Sequence, residues 1–459
     1  MAKPGRRWPY ILLTLIIGAL CVSFGPAYDA FRMGNGYAAK VAASAMHVGG
    51  RTLDQIRDQE LSILSFVTLN VDESDQSVTA SIAGLADEKA VYDPRFGATL
   101  VHGREDAVAE RRAGASPRAA LGDPVMFTLN ADVPGVDYAA LNESITWATT
   151  EANATAPINT RAVAVFYDGQ LVGEGFAEGF DRTSRFAGFS MTKSVTSALI
   201  GILVKQGKLE VDAPAPIPSW HGENDPRAAI TLNHMLQMST GLAFGEQYFN
   251  PFADAVRMLF VESDAPGYAM KKPLEAAPGE KWYYSSGTTN MLQWIIRKQF
   301  DSDEAYWRFP YEELFAPIGM HSALLEPDAS GTYVGSSFMW ATAHDWARFG
   351  LLFLNDGVWE GNRILPEGWV EYSVTPAPAA PRGNYGAQWW LNAGAPGDPE
   401  DRPMPELPTD TYFASGFEGQ KVYVIPSRKA VIVRLGCTQG PGWSNPGFAA
   451  RVLEALPGA

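Results

Sequence analysis

The chain has 459 residues, 46% of them hydrophobic, which suits one large α/β catalytic unit with an N-terminal extension and a sizeable core. Its formal net charge of −15 argues against nucleic acid as a partner, because polyanion binding needs a basic face; the plain consequence of that charge is solubility. The six histidines are scattered, with no H-E-x-x-H and no paired-cysteine spacing, so no metal site and no cofactor is expected.

At the N-terminus Lys3, Arg6 and Arg7 precede an apolar stretch over residues 8–24. Residues 1–25 read as a signal segment or a single membrane anchor. The run is near the lower limit for a span and long for a signal core, and no small-x-small cleavage site follows directly, since Tyr28-Asp29-Ala30 begins with a bulky residue. An uncleaved anchor is the favoured reading, and the positive residues before it place the catalytic part outside the cytoplasm; secretion after cleavage is the alternative. Cys21 falls inside the apolar stretch, which leaves Cys437 alone in the exported part and allows no internal disulfide. Gly34-Asn35-Gly36 with Ala39 mimics a dinucleotide fingerprint, but no strand precedes it. Residues 26–124 read as a small leader region and linker, with strands over 65–71 and 78–82 and a polar, alanine-rich stretch over 104–118.

From residue 125 onward the pattern is that of a catalytic domain. Residues 161–176 alternate through Ala162, Ala164, Phe166, then Leu171 and Val172, around Asp168-Gly169, which predicts a β-hairpin. Val195, Ala198, Leu199, Ile202 and Leu203 recur at helical spacing, and Gly207 stands where the helix should stop. Just ahead of them lies Ser190-Met191-Thr192-Lys193. A serine and a lysine three apart at a helix start form a nucleophile and a base on one face. The orphan amides there favour an oxyanion on a substrate bonded to the serine. Burial among apolar neighbours would lower the lysine pKa enough for a neutral amine to take the serine proton. The alternative is an N-cap serine followed by a solvated lysine.

Two further segments decide between these. Pro278-Gly279-Glu280-Lys281-Trp282-Tyr283-Tyr284-Ser285-Ser286-Gly287 brings tyrosines and small hydroxyl residues to the start of an apolar helix. Ala414-Ser415-Gly416-Phe417-Glu418-Gly419-Gln420 opens a strand over 421–425, followed by a Pro426-Ser427 turn and a strand over 430–435. Glycines there let a substrate lie along the strand edge, where a backbone N–H can complete an oxyanion hole. His234 and His344 sit in helical apolar contexts and read as structural. Tyr385, Trp389 and Trp390 read as core or as a pocket floor. Gly188-Phe189-Ser190-Met191-Thr192 misses the G-x-S-x-G elbow by one residue, which weakens an α/β-hydrolase reading.

Together, in this order, the three segments resemble the class C β-lactamase and penicillin-binding-protein-like serine hydrolases, most nearly the branch with esterases and 6-aminohexanoate-dimer hydrolases. The resemblance covers residues 125–459. It implies an α/β (α+β) fold in which an antiparallel sheet is flanked by helices, with a mostly helical lobe inserted between the first and last motifs. It implies Ser190 as the acylated nucleophile, Lys193 and Tyr284 as proton-transfer partners, and a substrate-binding set of Ser190, Gln420, Gly419 and Ser286. Two positions depart from the lactam-binding pattern: Ser286 stands in place of an asparagine, and Phe417-Glu418-Gly419 in place of K-T-G. Without that lysine the expected substrate is a small amide or ester lacking the lactam carboxylate. β-Lactamase or D-Ala-D-Ala peptidase activity is one alternative, and a membrane-anchored sensor that has lost turnover is another.

Overall fold

The computed structural model describes residues 8–114, 121–151, 157–439 and 443–458, with side chains from residue 25 onward. Two-residue alternation builds the main sheet. Along β5 (Thr160–Tyr167), Ala162, Ala164 and Phe166 face one apolar cluster while Val163 and Val165 face another. β6 (Gln170–Phe176) returns through Asp168 and Gly169, whose φ values of 48° and 77° are those of a type I′ turn, whose twist matches the paired strands.

In chain order the leader carries β1 (Thr68–Asp72), β2 (Ser77–Ile82), β3 (Leu85–Asp93) and β4 (Gly97–Leu100), an antiparallel sheet in that order. Short strands β7 (Phe186–Ala187), β8 (Leu324–Leu325) and β9 (Met339–Ala341) form a second sheet, and β10 (Val358–Trp359) with β11 (Asn362–Arg363) a hairpin. The last strands are β12 (Trp390–Leu391), β13 (Tyr412–Gly416), β14 (Gln420–Ile425) and β15 (Ala430–Gly436). With β5 and β6 they complete a six-stranded antiparallel sheet ordered β12-β13-β14-β15-β5-β6.

One face of this sheet is covered by the helices Tyr138–Thr149 and Asn445–Ala455, through Leu141, Ile145, Phe448 and Val452. The other is covered by Thr192–Lys205 and Ala343–Leu354; a β-carbon at Gly350 would come within 2.7 Å of Val431, so glycine lets that helix lie close. Between them, residues 207–335 hold the shorter helices of the inserted lobe, among them Asp254–Phe260 and Ser286–Arg297.

The leader differs from the sequence expectation in two ways. First, β3 and β4 escape the pattern, because Asp87, Glu88 and Lys89 interrupt the apolar alternation of β3. Second, the leader is no separate unit: Ala38, Ala42, Val78 and Ala90 belong to the same apolar cluster as Phe166, Leu199 and Phe349. A single helix, Trp8–His47, runs from the apolar stretch into this packing. Gly34-Asn35-Gly36 lies inside that helix rather than in a loop after a strand; a β-carbon at Gly36 would fall 1.9 Å from the Phe260 carbonyl oxygen, so glycine permits the helix to touch the catalytic lobe. A buried ion pair between Lys40 and Glu326 at 2.7 Å fastens the contact, and Glu326 also accepts from Ser44 Oγ at 2.8 Å and the Ala98 amide at 2.7 Å. Among the residues whose side chains are described, no helix is long and apolar enough to cross a membrane; the run over 8–24, on which the anchor expectation rests, lies outside them.

Candidate active site

Ser190 sits in a single 3-10 turn, Phe189–Met191, that feeds the helix Thr192–Lys205. Phe189 is held at φ 45°, an uncommon conformation for a bulky residue, and the tight turn it makes presents Ser190 at the cleft. Two glycines permit the tight surroundings. A β-carbon at Gly188 would lie 2.2 Å from the Trp346 ring, and one at Gly416 would lie 2.2 Å from the Gly188 carbonyl oxygen. The end of β13 is thereby brought against the nucleophile turn.

Lys193, one turn on, is 1% exposed. Its Nζ lies 3.1 Å from Ser190 Oγ, 3.0 Å from Ser286 Oγ and 2.9 Å from the Ser336 carbonyl oxygen. Burial lowers its pKa to about 8, against a smaller opposing effect of Glu246. The Tyr284 ring lies 4.8 Å from Nζ, and its hydroxyl shares a hydrogen bond with Ser190. Burial raises that hydroxyl's pKa well above the tyrosine range. Trp390 and Tyr385 pack on the Tyr284 ring at 5.3 and 5.9 Å and hold it in place, while Trp389 is core, stacked on Phe349.

The structure therefore brings Ser190, Lys193, Tyr284 and Ser286 together. Tyr283 points elsewhere: its hydroxyl accepts from the Glu246 amide and from Gln247 Nε2, both at 3.3 Å. Gly419 and Gln420 depart from expectation. The Gly419 carbonyl accepts from Arg434, and the Gln420 side chain bonds Gly436 and the Phe417 carbonyl; neither residue lines the cavity that holds Ser190. Phe417 lines it instead, its ring 5.7 Å from that of Phe189. The physical reason is that β13 ends at Gly416 and residues 417–419 form a 3-10 turn, so the residue beside the nucleophile comes three positions earlier than the glycine pattern suggests.

Two participants have no signal in the sequence. Glu246, in a loop of the inserted lobe, accepts from the Ser286 amide at 2.9 Å and from Ser286 Oγ at 2.5 Å. Tyr248 donates to Glu246 and lies 3.3 Å from Ser286 Oγ. His234 caps its own helix through the Thr231 amide, and His344, fully buried, bridges Glu174 and the Phe127 amide, so both are structural.

The family model for Beta-lactamase matches residues 148–456. The chain belongs to that family. Its fold is β-lactamase/transpeptidase-like, an antiparallel sheet flanked by helices, as the three motifs imply. The leader lies outside the matched span. The chain is similar to the 6-aminohexanoate-dimer hydrolase of Paenarthrobacter ureafaciens, at 23% identity over 311 residues covering 62% of this chain and 74% of the relative. Among solved structures it is similar to a penicillin-binding protein homologue from Caulobacter crescentus, with TM-score 0.54, 17% identity, and 73% and 99% of the two chains covered. A family VIII carboxylesterase gives TM-score 0.52 at 12% identity, covering 71% of this chain and 98% of its own. These structural likenesses concern the fold, and the family is one of hydrolases.

Proposed function

We propose that this protein is a serine hydrolase that cleaves an ester or a linear amide through an acyl-enzyme on Ser190. The observation that carries the reading is the hydrogen-bond set of Lys193. A neutral amine has two N–H donors and one lone pair. The Ser336 carbonyl can only accept, and Ser286 Oγ, which gives its own proton to Glu246, accepts as well. The lone pair is left for Ser190, 3.1 Å away.

Lys193 takes the Ser190 proton as Oγ attacks the substrate carbonyl, and the main-chain N–H groups of Ser190 and Phe417 receive the oxyanion. The raised pKa of Tyr284 keeps its proton on, so it serves as donor rather than base and relays the proton from Lys193 to the departing alcohol or amine. Water then attacks the acyl-enzyme, giving its proton to Lys193, and Ser190 leaves with that proton restored.

Lys421 is engaged with Ser415 Oγ at 2.6 Å and Arg382 with Asp401, so neither cation is offered to a substrate carboxylate. This supports simple esters and linear amides over penicillins. The basic start and apolar run of the N-terminus support a membrane-attached enzyme with its catalytic domain outside the cytoplasm. Labelling by a fluorophosphonate, lost in Ser190→Ala, tests the nucleophile; a screen of p-nitrophenyl esters, linear amide dimers and nitrocefin tests the substrate class. Faster turnover of nitrocefin than of esters would overturn the preference.

A further inference from the structure

A cavity of about 430 Å³ opens beside Ser190, within the range of small-molecule sites. Half of its wall comes from the leader: Phe31, Met33 and Tyr37 on the long helix, Leu64 and Phe66 after it, and Ile82 on β2. The catalytic lobe supplies the remainder, with Phe189, Phe260, Phe338 and Phe417. Among the described residues not one charged side chain lines it, and Ser190 is the nucleophile set into this apolar surface. At its mouth the apolar surface continues into water: Ile63 and Phe66 are each 62% exposed and Phe249 is 86% exposed. Singly such residues mean little, but grouped at one opening they mark a surface for an apolar partner.

We infer that this cavity is an acyl pocket, and that the substrate is an ester or amide of a medium- to long-chain aliphatic acid whose chain lies between the leader helix and the catalytic lobe. The inference rests on the serine-hydrolase reading and extends it to the substrate class. Two observations select the acyl chain over the leaving group. The groups that deliver a proton to the leaving group, Lys193 and Tyr284, together with Ser286 and Glu246, do not line the cavity. Phe417, whose amide receives the oxyanion in that mechanism, lines it together with Phe189, the residue before the serine, the two rings in edge contact. A flexible chain without charge is matched to a wall without charge, where each buried methylene adds about 0.8 kcal/mol, or roughly fourfold in kcat/KM. The leader helix also gives the chain a source. Ala30, at one end of the pocket wall, is six residues from the apolar run that ends at Phe24, about 9 Å along the helix axis.

The test is a series of p-nitrophenyl esters from acetate through octanoate to dodecanoate, run on the full chain. kcat/KM is expected to climb by roughly fourfold per added methylene until the pocket is filled. In Gly34→Phe, which fills the cavity from the helix side, the ratio of dodecanoate to acetate activity should fall at least about tenfold. A flat chain-length profile, or a ratio unchanged by Gly34→Phe, overturns the acyl pocket while leaving the serine hydrolase standing. If neither esters nor linear amides are turned over and Ser190 takes no fluorophosphonate label, the hydrolase reading falls, and binding of a pyrene-labelled fatty acid to Ser190→Ala then tests the cavity by itself: saturable binding weakened by Gly34→Phe keeps it, and no binding removes it. Fatty-acid release from phosphatidylcholine–phosphatidylglycerol vesicles would assign the chain to a bilayer lipid, whereas turnover of monomeric esters alone would assign it to a soluble one.

Discussion

On one side of Ser190 stand Lys193, Tyr284, Ser286 and Glu246, each tied to its neighbour by hydrogen bonds; on the other stand Phe31, Tyr37, Phe66, Phe260 and Phe417, held by packing alone. The first wall belongs to the family-matched span, and half of the second to the leader outside it. The polar wall sets what happens to a carbonyl, because proton transfer depends on tenths of an ångström and on a lysine whose charge burial has made removable. In the proposed acyl pocket the apolar wall would set which carbonyl arrives, because burial is non-directional and scales with area. Reaction and selectivity are thus separable here, and mutations should separate them.

The largest effect is expected on the polar wall. Ser190→Ala should abolish turnover with the fold intact, and Lys193→Ala should lower kcat by about two to four powers of ten. Equal loss of affinity for a long-chain ligand in Lys193→Ala would blur the distinction between the walls. Tyr284→Phe should cost about a hundredfold, with Tyr283→Phe within a few-fold, because only the first reaches Ser190. Reversal of that order in steady-state kinetics would move the proton relay to the loop that Tyr283 supports.

A change at the seam between the two regions should act on stability. Glu326→Ala strands Lys40 in the core, and losing one partner of a buried pair costs about 3–5 kcal/mol. Urea unfolding should show the loss, and limited proteolysis should cut first in the leader. A loss under about 1 kcal/mol would mean that this ion pair is not what fastens the leader.

The pH profile is gentler. Lys193 acts as base only when neutral, so kcat/KM should rise with pH through about 8 and level off above it. A profile that climbs on towards the ordinary lysine value of 10.5 would mean that burial does not lower its pKa in the free enzyme. The smallest effect belongs to the rim: Phe66→Ser should change dodecanoate kcat/KM by only a few-fold and acetate by less, since that side chain is already largely in water.

Much of the candidate site was legible in the residue order. Ser190 and Lys193 are one helical turn apart, Tyr284 precedes a helix that carries its own capping serine, and the Asp168-Gly169 hairpin obeys local turn rules; spacing along a regular element is a short-range property. Alternation likewise marked the hairpin over residues 161–176, whereas the antiparallel sheet was implied by the resemblance of the three motifs and its two apolar faces are seen only in the folded chain. Glu246 and Tyr248 were not legible, because nothing near them in sequence marks the loop that carries them to Ser286, forty residues on. That Phe417 rather than Gln420 lines the Ser190 cavity was not legible either, because only the folded chain shows β13 ending at Gly416 against Gly188. The leader was the least legible part. Its residues show no motif, since an apolar wall is recognised by what it faces, and Phe31, Tyr37 and Phe66 come to line one cavity with Ser190 only when the chain folds.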